Sequence, residues 1–311
     1  VKTWMPSNAD AEYKDLLRKA ATPWLKYARD AKAQGLVVDG FSDTDTWVRA
    51  WQANGMDGRQ TVVNREVVGL GKSYGLSLPT DDRGVLMRPM SALRTYAKFA
   101  DPWDEYPEWV LYQSAKSTKE PWSGEWVFVD AARWYRFTGQ PGTPQDVEVS
   151  EHGLGFCPVV QLSNTLTSEG SPESSIERIV DYTFTLSMDM RYGAFPQKWM
   201  AGGDLAKDEN GNPMVNASVD SLLHAEGAGG ETARFGSFQS ASISDVVAGL
   251  EAAKADLSAV LQIPPHYIMS KVINMSAEGI EAAESAYFRD LAERRESLGE
   301  GYELWLRTAA A

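Results

Sequence analysis

The chain has 311 residues, 43% of them hydrophobic and 23% charged, with a formal net charge of −13, one cysteine and three histidines. This composition supports a packed core rather than a disordered chain, and a single cysteine excludes an intrachain disulfide or a cysteine-based zinc site. The acidic balance runs against static nucleic-acid binding, which needs a basic footprint. No apolar run approaches the roughly 18 residues of a membrane span, and residues 1–18 lack the basic-then-apolar order of a signal peptide, so the chain reads as soluble and unexported.

Residues 10–33 carry helix formers with Leu16, Leu17, Ala20, Trp24 and Tyr27 at helical spacing, and Gly35 precedes the apolar run Leu36-Val37-Val38. A helix followed by a strand is predicted. A second helix is predicted over 44–68, with Trp47, Trp51, Val62 and Val63 as its apolar positions and an interruption at Asn54-Gly55, and then a strand over 73–78. Between Val85 and Gln161 short β-branched and aromatic runs, such as Trp109-Val110-Leu111-Tyr112 and Trp126-Val127-Phe128-Val129, predict a mixed or antiparallel sheet. It is broken at 140–144 and 151–155, and 159–162 is its last strand.

Ser171-Pro172-Glu173 places a cap, a first-turn proline and an acid in series, the start of a long helix to about residue 192. Ile176, Ile179, Val180, Thr183 and Met190 keep one face of it. Residues 195–238 carry the turn clusters 208–213 and 227–230 and predict a small β-containing excursion. Helix returns at Ser244-Asp245 with Val247, Leu250, Lys254, Leu257 and Leu261 at three- and four-residue steps, and Pro264-Pro265 stops it. Ser276 caps a final helix through Ile280, Tyr287, Leu291, Leu298, Tyr302 and Leu306, which extends beyond about 30 residues. Its other face mixes Glu281, Glu284, Arg289, Glu293, Arg294 and Glu296. There is no internal repeat.

The residues offer little catalytic chemistry. Gly71-Lys72-Ser73 ends like a phosphate-binding loop, yet Glu66 stands five residues before Gly71 where that loop needs glycine, so no anion cradle is expected. His152, His224 and His266 are far apart and outside any metal-binding spacing, and read as ordinary loop histidines. Cys157 and His152 on a turn-rich segment are not expected to form a nucleophile pair. Among the 11 tryptophans, Trp103, Trp109, Trp122, Trp126 and Trp134 fall among strand and turn segments, where core or subunit-interface packing is the expected use.

The order of an α/β region, a helix, a small excursion, a returning helix, a short loop and a very long helix resembles the portal proteins of tailed double-stranded DNA bacteriophages, siphophage portals in particular. Three segments carry the resemblance: Gly153-Leu154-Gly155-Phe156-Cys157-Pro158-Val159-Val160-Gln161-Leu162-Ser163-Asn164, then Ala194-Phe195-Pro196-Gln197-Lys198-Trp199-Met200-Ala201-Gly202, and Gln262-Ile263-Pro264-Pro265-His266-Tyr267-Ile268 followed by Asn274-Met275-Ser276-Ala277-Glu278-Gly279-Ile280. The resemblance as a whole spans roughly residues 20–308, and the order and spacing of these segments matter more than any one of them. The resemblance implies an α+β portal fold assembled as a ring. Residues 1–170 form an α/β wing, 171–193 the first stem helix, 194–243 a clip, 244–263 the second stem helix, 264–275 a tunnel loop, and 276–311 a long wing helix. Family members continue into a helical crown, which is absent or not included in this chain.

By the same resemblance the chain is a non-enzymatic ring subunit, without cofactor or metal, at the portal vertex of the virion and in the host cytoplasm during assembly. Its partners are identical subunits, usually twelve, duplex DNA in transit, the terminase packaging ATPase, a head-completion adaptor, and the major capsid or scaffolding protein; no membrane is involved. The tunnel loop Ser270, Lys271, Val272, Ile273 and Asn274 lines the bore, with Lys271 its one cation. Glu177, Asp181, Asp189, Lys254 and Asp256 belong to the stem, where acidic walls discourage DNA adhesion. Gly211, Asn212, Gly227, Gly229 and Gly230 belong to the clip and the adaptor contact. Two other readings stay open: a carbohydrate-binding or carbohydrate-active protein, in which 43 acidic residues single out no carboxylate pair, and another head-tail connector component.

Overall fold

Proline cannot donate a backbone hydrogen bond, and the first helical segment divides at Pro23 into α1 (Ala11–Ala20) and α2 (Trp24–Gln34). A single helix was expected there. The computed structural model describes residues 11–80, 84–116, 124–164, 173–193, 198–201, 204–205, 225–226, 234–237, 243–269 and 276–311. The strand expected at Leu36-Val37-Val38 is irregular chain, because side-chain amides take the places of sheet partners. Val38 donates to Gln60 Oε1 at 2.8 Å and accepts from Gln60 Nε2 at 3.2 Å, while Leu36 O accepts from Asn64 Nδ2 at 2.6 Å.

The next helical segment comprises α3 (Thr44–Thr46), a π-helical turn (Trp47–Gln52) and α4 (Met56–Leu70), interrupted at Asn54-Gly55 as the residues predict. Gly55 and Gly71 adopt φ of 62° and 83° at the two ends of α4, a region open to glycine without strain. Asn54 Nδ2 ties the interruption to Ala50 O and Val85 O.

Beyond Gly71 the chain enters an antiparallel three-stranded sheet in the order β2 (Gly84–Met90), β1 (Lys72–Thr80), β8 (Val159–Ser163). A second sheet runs in sequence order through β3 (Thr95–Lys98), β4 (Trp109–Lys116), β5 (Gly124–Val129), β6 (Arg133–Gln140) and β7 (Thr143–Glu151), every neighbour antiparallel. The last predicted strand thus belongs not to this sheet but beside β1, with Val159 opposite Leu76. The break expected at 140–144 shrinks to Pro141-Gly142, since β6 and β7 form a tight hairpin.

Then come α5 (Glu173–Gly193), two nested antiparallel strand pairs, β9 (Lys198–Ala201) with β12 (Arg234–Ser237) and β10 (Asp204–Leu205) with β11 (Ala225–Glu226), and α6 (Ile243–Leu261). Pro265 does not only stop a helix: it opens the short α7 (Pro265–Met269), where its missing N–H costs nothing. Part of the expected loop over 264–275 is therefore helical. Finally α8 (Ala277–Ala310) runs for 34 residues from Ser276, whose Oγ accepts from Gly279 N at 3.2 Å. Sheets and helices coexist as an α+β fold.

Two compact units result, neither continuous in sequence: residues 1–22, 171–261 and 265–273 form one, and 23–170, 262–264 and 274–311 the other. In the first, α1 packs on α5, α5 on α6, and α6 on α7. In the second, two apolar clusters lie on the two faces of the three-stranded sheet, with Met87, Val160 and Leu162 in one and Met90 and Val159 in the other. Tyr74, Leu76 and Leu78 pack with Val110, Tyr112, Val127 and Val129 of the five-stranded sheet. Leu291, Leu298, Tyr302, Trp305 and Leu306 of α8 pack with Trp51, Val63, Val67 and Leu162. A Cβ on Gly75 would lie 2.3 Å from the Trp305 ring, so only glycine admits the indole there.

One buried ionic cluster joins α2 to α8 within this unit. Lys32 Nζ lies 3.0 Å from Asp290 Oδ2, and Arg294 grips both Asp290 oxygens at 2.8 and 2.9 Å. Burial alone pushes the Asp290 carboxyl up, and the hydrogen bonds from Arg294 and Lys32 outweigh it, holding the group below its usual range. A carboxylate so depressed contributes stability above its unfolded value, about 3.9, and loses it as pH falls through the folded value. Asp290→Ala leaves Lys32 buried without its anion, and is expected to lower the unfolding free energy by about 3–5 kcal/mol. Denaturant titration checks this, with Glu303→Ala, which breaks an exposed pair with Arg307, remaining close to the parent.

Candidate functional site

The helix pair α5/α6 is the best-described of the predicted functional regions. Arg178 meets Asp256 at 3.1 Å, and Tyr182 lies against Gly249, where a Cβ would come within 2.8 Å of the ring. Position numbers rise along one helix as they fall along the other, so the two run antiparallel. Ile176, Ile179 and Val180 of α5 and Ala253, Leu257 and Ser258 of α6 are buried. Met190, expected on the buried face, is 64% exposed.

Glu173, Glu177 and Asp181 follow one another at four-residue steps on α5 and place like charges on one helix face. Partial burial, then the neighbouring Glu177 charge, raises the Asp181 carboxyl above its ordinary value. Asp256 is not a bare wall charge, because Arg178 neutralises it. That partner was missed in the sequence: only the phase of α5 against α6 reveals it. Asp189 turns Oδ2 inward, where it accepts no hydrogen bond among the described residues, and Lys254 is partly buried on α6. The residues expected in a stem are thus distributed along two helices rather than gathered at one point.

Ser270, Lys271, Val272, Ile273 and Asn274, expected in a tunnel loop, and Gly211, Asn212, Gly227, Gly229 and Gly230, expected in a clip, lie outside the described residues, as do His224 and Trp122. His152 is a loop histidine, and a buried one, with Nε2 3.0 Å from Asp130 O and Nδ1 accepting from Leu154 N at 3.3 Å. His266 stands on α7, edge-on to Tyr267. Lys72 and Ser73 begin β1 directly after α4, the reverse of the strand-to-helix order a phosphate loop requires.

Trp126 is buried and donates to Gly139 O at 3.1 Å, Trp134 packs on the sheet core, and Trp109 lies against Tyr96 and Phe128. Trp103 differs, at 93% exposure. In a cleft of about 510 Å³ between residues 37–42 and α8, Tyr302 donates to Asn64 Oδ1 at 2.8 Å and Arg295 to Gly35 O at 2.8 and 3.0 Å. Among the described residues, no cluster of three or more metal-ligating side chains occurs and no helix is long and apolar enough to cross a membrane.

No protein-family model and no curated protein matches the chain. Solved structures of similar fold include a chain in the virion of a native gene transfer agent particle, with a TM-score of 0.55 and 13% identity over 99% of this chain and 84% of that one. The shared feature is the fold, along the whole length.

Cys157 is buried and donates to Val129 O at 3.6 Å, and burial pushes its thiol up to about 12. It makes no pair with His152, whose ring nitrogens are both otherwise bonded. In the folded protein a disulfide reagent at neutral pH is expected to find no reactive thiol, and in denaturant one per chain; rapid reaction of the native protein would reopen a role for this cysteine.

Proposed function

We propose that the chain is the structural ring subunit of a phage-type portal, the channel through which DNA is packaged and ejected. The observation that carries this reading is the likeness in fold along 99% of the chain to a component of a gene transfer agent virion, set beside the order of helix, strand excursion, returning helix and long helix. In this role the protein performs no chemistry. It acts by geometry, as a virion component at the capsid vertex that also docks the terminase ATPase, the head-completion adaptor, and the capsid or scaffold.

The acidic stripe on α5 supports a sliding rather than a gripping contact with DNA. A duplex is a dense polyanion, so carboxylates on a channel wall raise the energy of close approach and leave no counterion-release gain to hold the strand. Lys271 supplies the opposite, a weak and repeated phosphate contact at the narrowest point. Its neighbours in the loop are uncharged, which keeps that contact local.

Electron microscopy of the purified protein tests the ring directly. Rings with a central hole wider than a duplex, roughly 20 Å, are expected; monomers persisting at high concentration would overturn the reading in favour of a carbohydrate-binding protein. Lys271→Glu is expected to reduce DNA packaging or retention without preventing ring formation, and unchanged packaging would remove Lys271 from the mechanism.

A further inference from the structure

The five-stranded sheet carries a row of apolar side chains that crosses it from one edge to the other. Tyr96 of β3 lies 5.5 Å from Trp109 of β4, Trp109 5.7 Å from Phe128 of β5, and Phe128 5.5 Å from Tyr135 of β6, ring centre to ring centre. Val149 of β7 stands opposite Tyr135 and completes the row. The interior residues of the row are half-buried, but its two ends are open: Tyr96 is 63% and Val149 50% exposed. Cross-strand pairs of this kind stabilise a sheet only when the next strand is present.

Among the described residues both edges of the sheet, β3 and β7, are also without a further strand partner. All nine residues of β7 are exposed, on both faces, which is unusual for a strand carrying Val147 and Val149. Proteins ordinarily blunt such an edge with proline, bulges or lysines. Pro144 and the irregularity around Asp146 do so at its start, and from Val147 to Glu151 only the carboxylates Glu148 and Glu151 stand against pairing. The edges are opposite in charge. β7 holds Asp146, Glu148 and Glu151 and no cation, while residues 93–99 hold Arg94 and Lys98 and no acid, with Leu93 also strongly exposed.

We infer that the β7 edge of one copy of this chain pairs with the β3 edge of the next, extending the sheet across the subunit boundary. The topology fixes the direction. Four successive antiparallel pairings leave β3 and β7 running the same way, so copies related by rotation about a ring axis meet head to tail with β7 parallel to β3. Such a contact is heterologous, as ring closure demands, rather than the isologous contact of a two-fold dimer. With Val149 alongside Tyr96 of the next copy, the aromatic row continues, Glu151 falls alongside Lys98, and Val147 covers the stem of Arg94. The intrachain pairs given up, Arg133 with Glu151 and Lys98 with Glu108, are exposed and weak.

The inference rests on the ring reading above, and thiol cross-linking separates the two. Cys157 is buried and inert, so Lys98→Cys and Glu151→Cys each add one reactive thiol. A chain carrying both, treated with a short bismaleimide in the assembled state, is expected to give a ladder of covalent oligomers on a denaturing gel, up to the subunit number seen by microscopy. Each single variant is expected to remain monomeric on that gel. Rings without a ladder, or dimers from the single variants, would overturn this contact and leave the ring standing. The absence of both rings and ladder would overturn the two together.

Discussion

Trp305 lies against the bare backbone of Gly75, in the strand whose other face carries Tyr74, Leu76 and Leu78 into the second apolar cluster of the larger unit. An indole can approach β1 that closely only because no Cβ stands in the way. The contact draws the last three turns of α8 into the sheet, where Leu298, Tyr302 and Leu306 follow at helical spacing. Ser297 Oγ then donates to Ser163 O at the end of β8, and the Tyr106 and Thr308 hydroxyls meet at 3.1 Å. The indole N–H finds no acceptor among the described residues, a cost of about 1–3 kcal/mol that burial of so large a ring offsets.

The other half of α8 is held by charge. Asp290 sits between Lys32 and Arg294, and Tyr287, one turn earlier, donates to Ala31 O at 2.8 Å. Gly35, just beyond α2, admits Leu291 where a Cβ would lie 2.6 Å from the leucine side chain, and its carbonyl accepts from Arg295. A buried ionic group is a weak source of net stability, because desolvation consumes most of the attraction. Its effect is positional: it admits one register of α2 on α8, and a one-turn slip would bury unpaired charge.

Features set by neighbouring residues were legible in the sequence. Ser276, Asn54-Gly55 and the Pro-Gly turn act within a turn of helix or a hairpin, so their chemistry is written locally. Features set by distant partners were not. Leu36-Val37-Val38 has the composition of a strand, and it is Gln60 and Asn64, more than twenty residues on, that take up its backbone groups. Val159-Val160 reads equally well beside any strand, and only the two-sided burial of β1 assigns it there. In α5 and α6 the charges of Asp181 and Asp256 were visible, whereas the Arg178 partner depends on helix phase. Met190 kept the period of a buried face, and period alone does not say where a covering helix ends.

The acidity of the chain has a consequence for its open strand. A nine-residue exposed strand would ordinarily invite pairing with any copy of itself, edge to identical edge. On β7 that pairing brings Asp146, Glu148 and Glu151 of one copy close to the same three acids of the other, and like charges on adjoining strands are destabilising. The formal charge of −13 adds long-range repulsion between free chains. Pairing with an edge that carries Arg94 and Lys98 escapes the local repulsion and meets attraction instead. The same acids that keep free chains apart thus select which edge can close the contact, and a strand that would be an aggregation hazard in a neutral protein becomes specific for a head-to-tail neighbour.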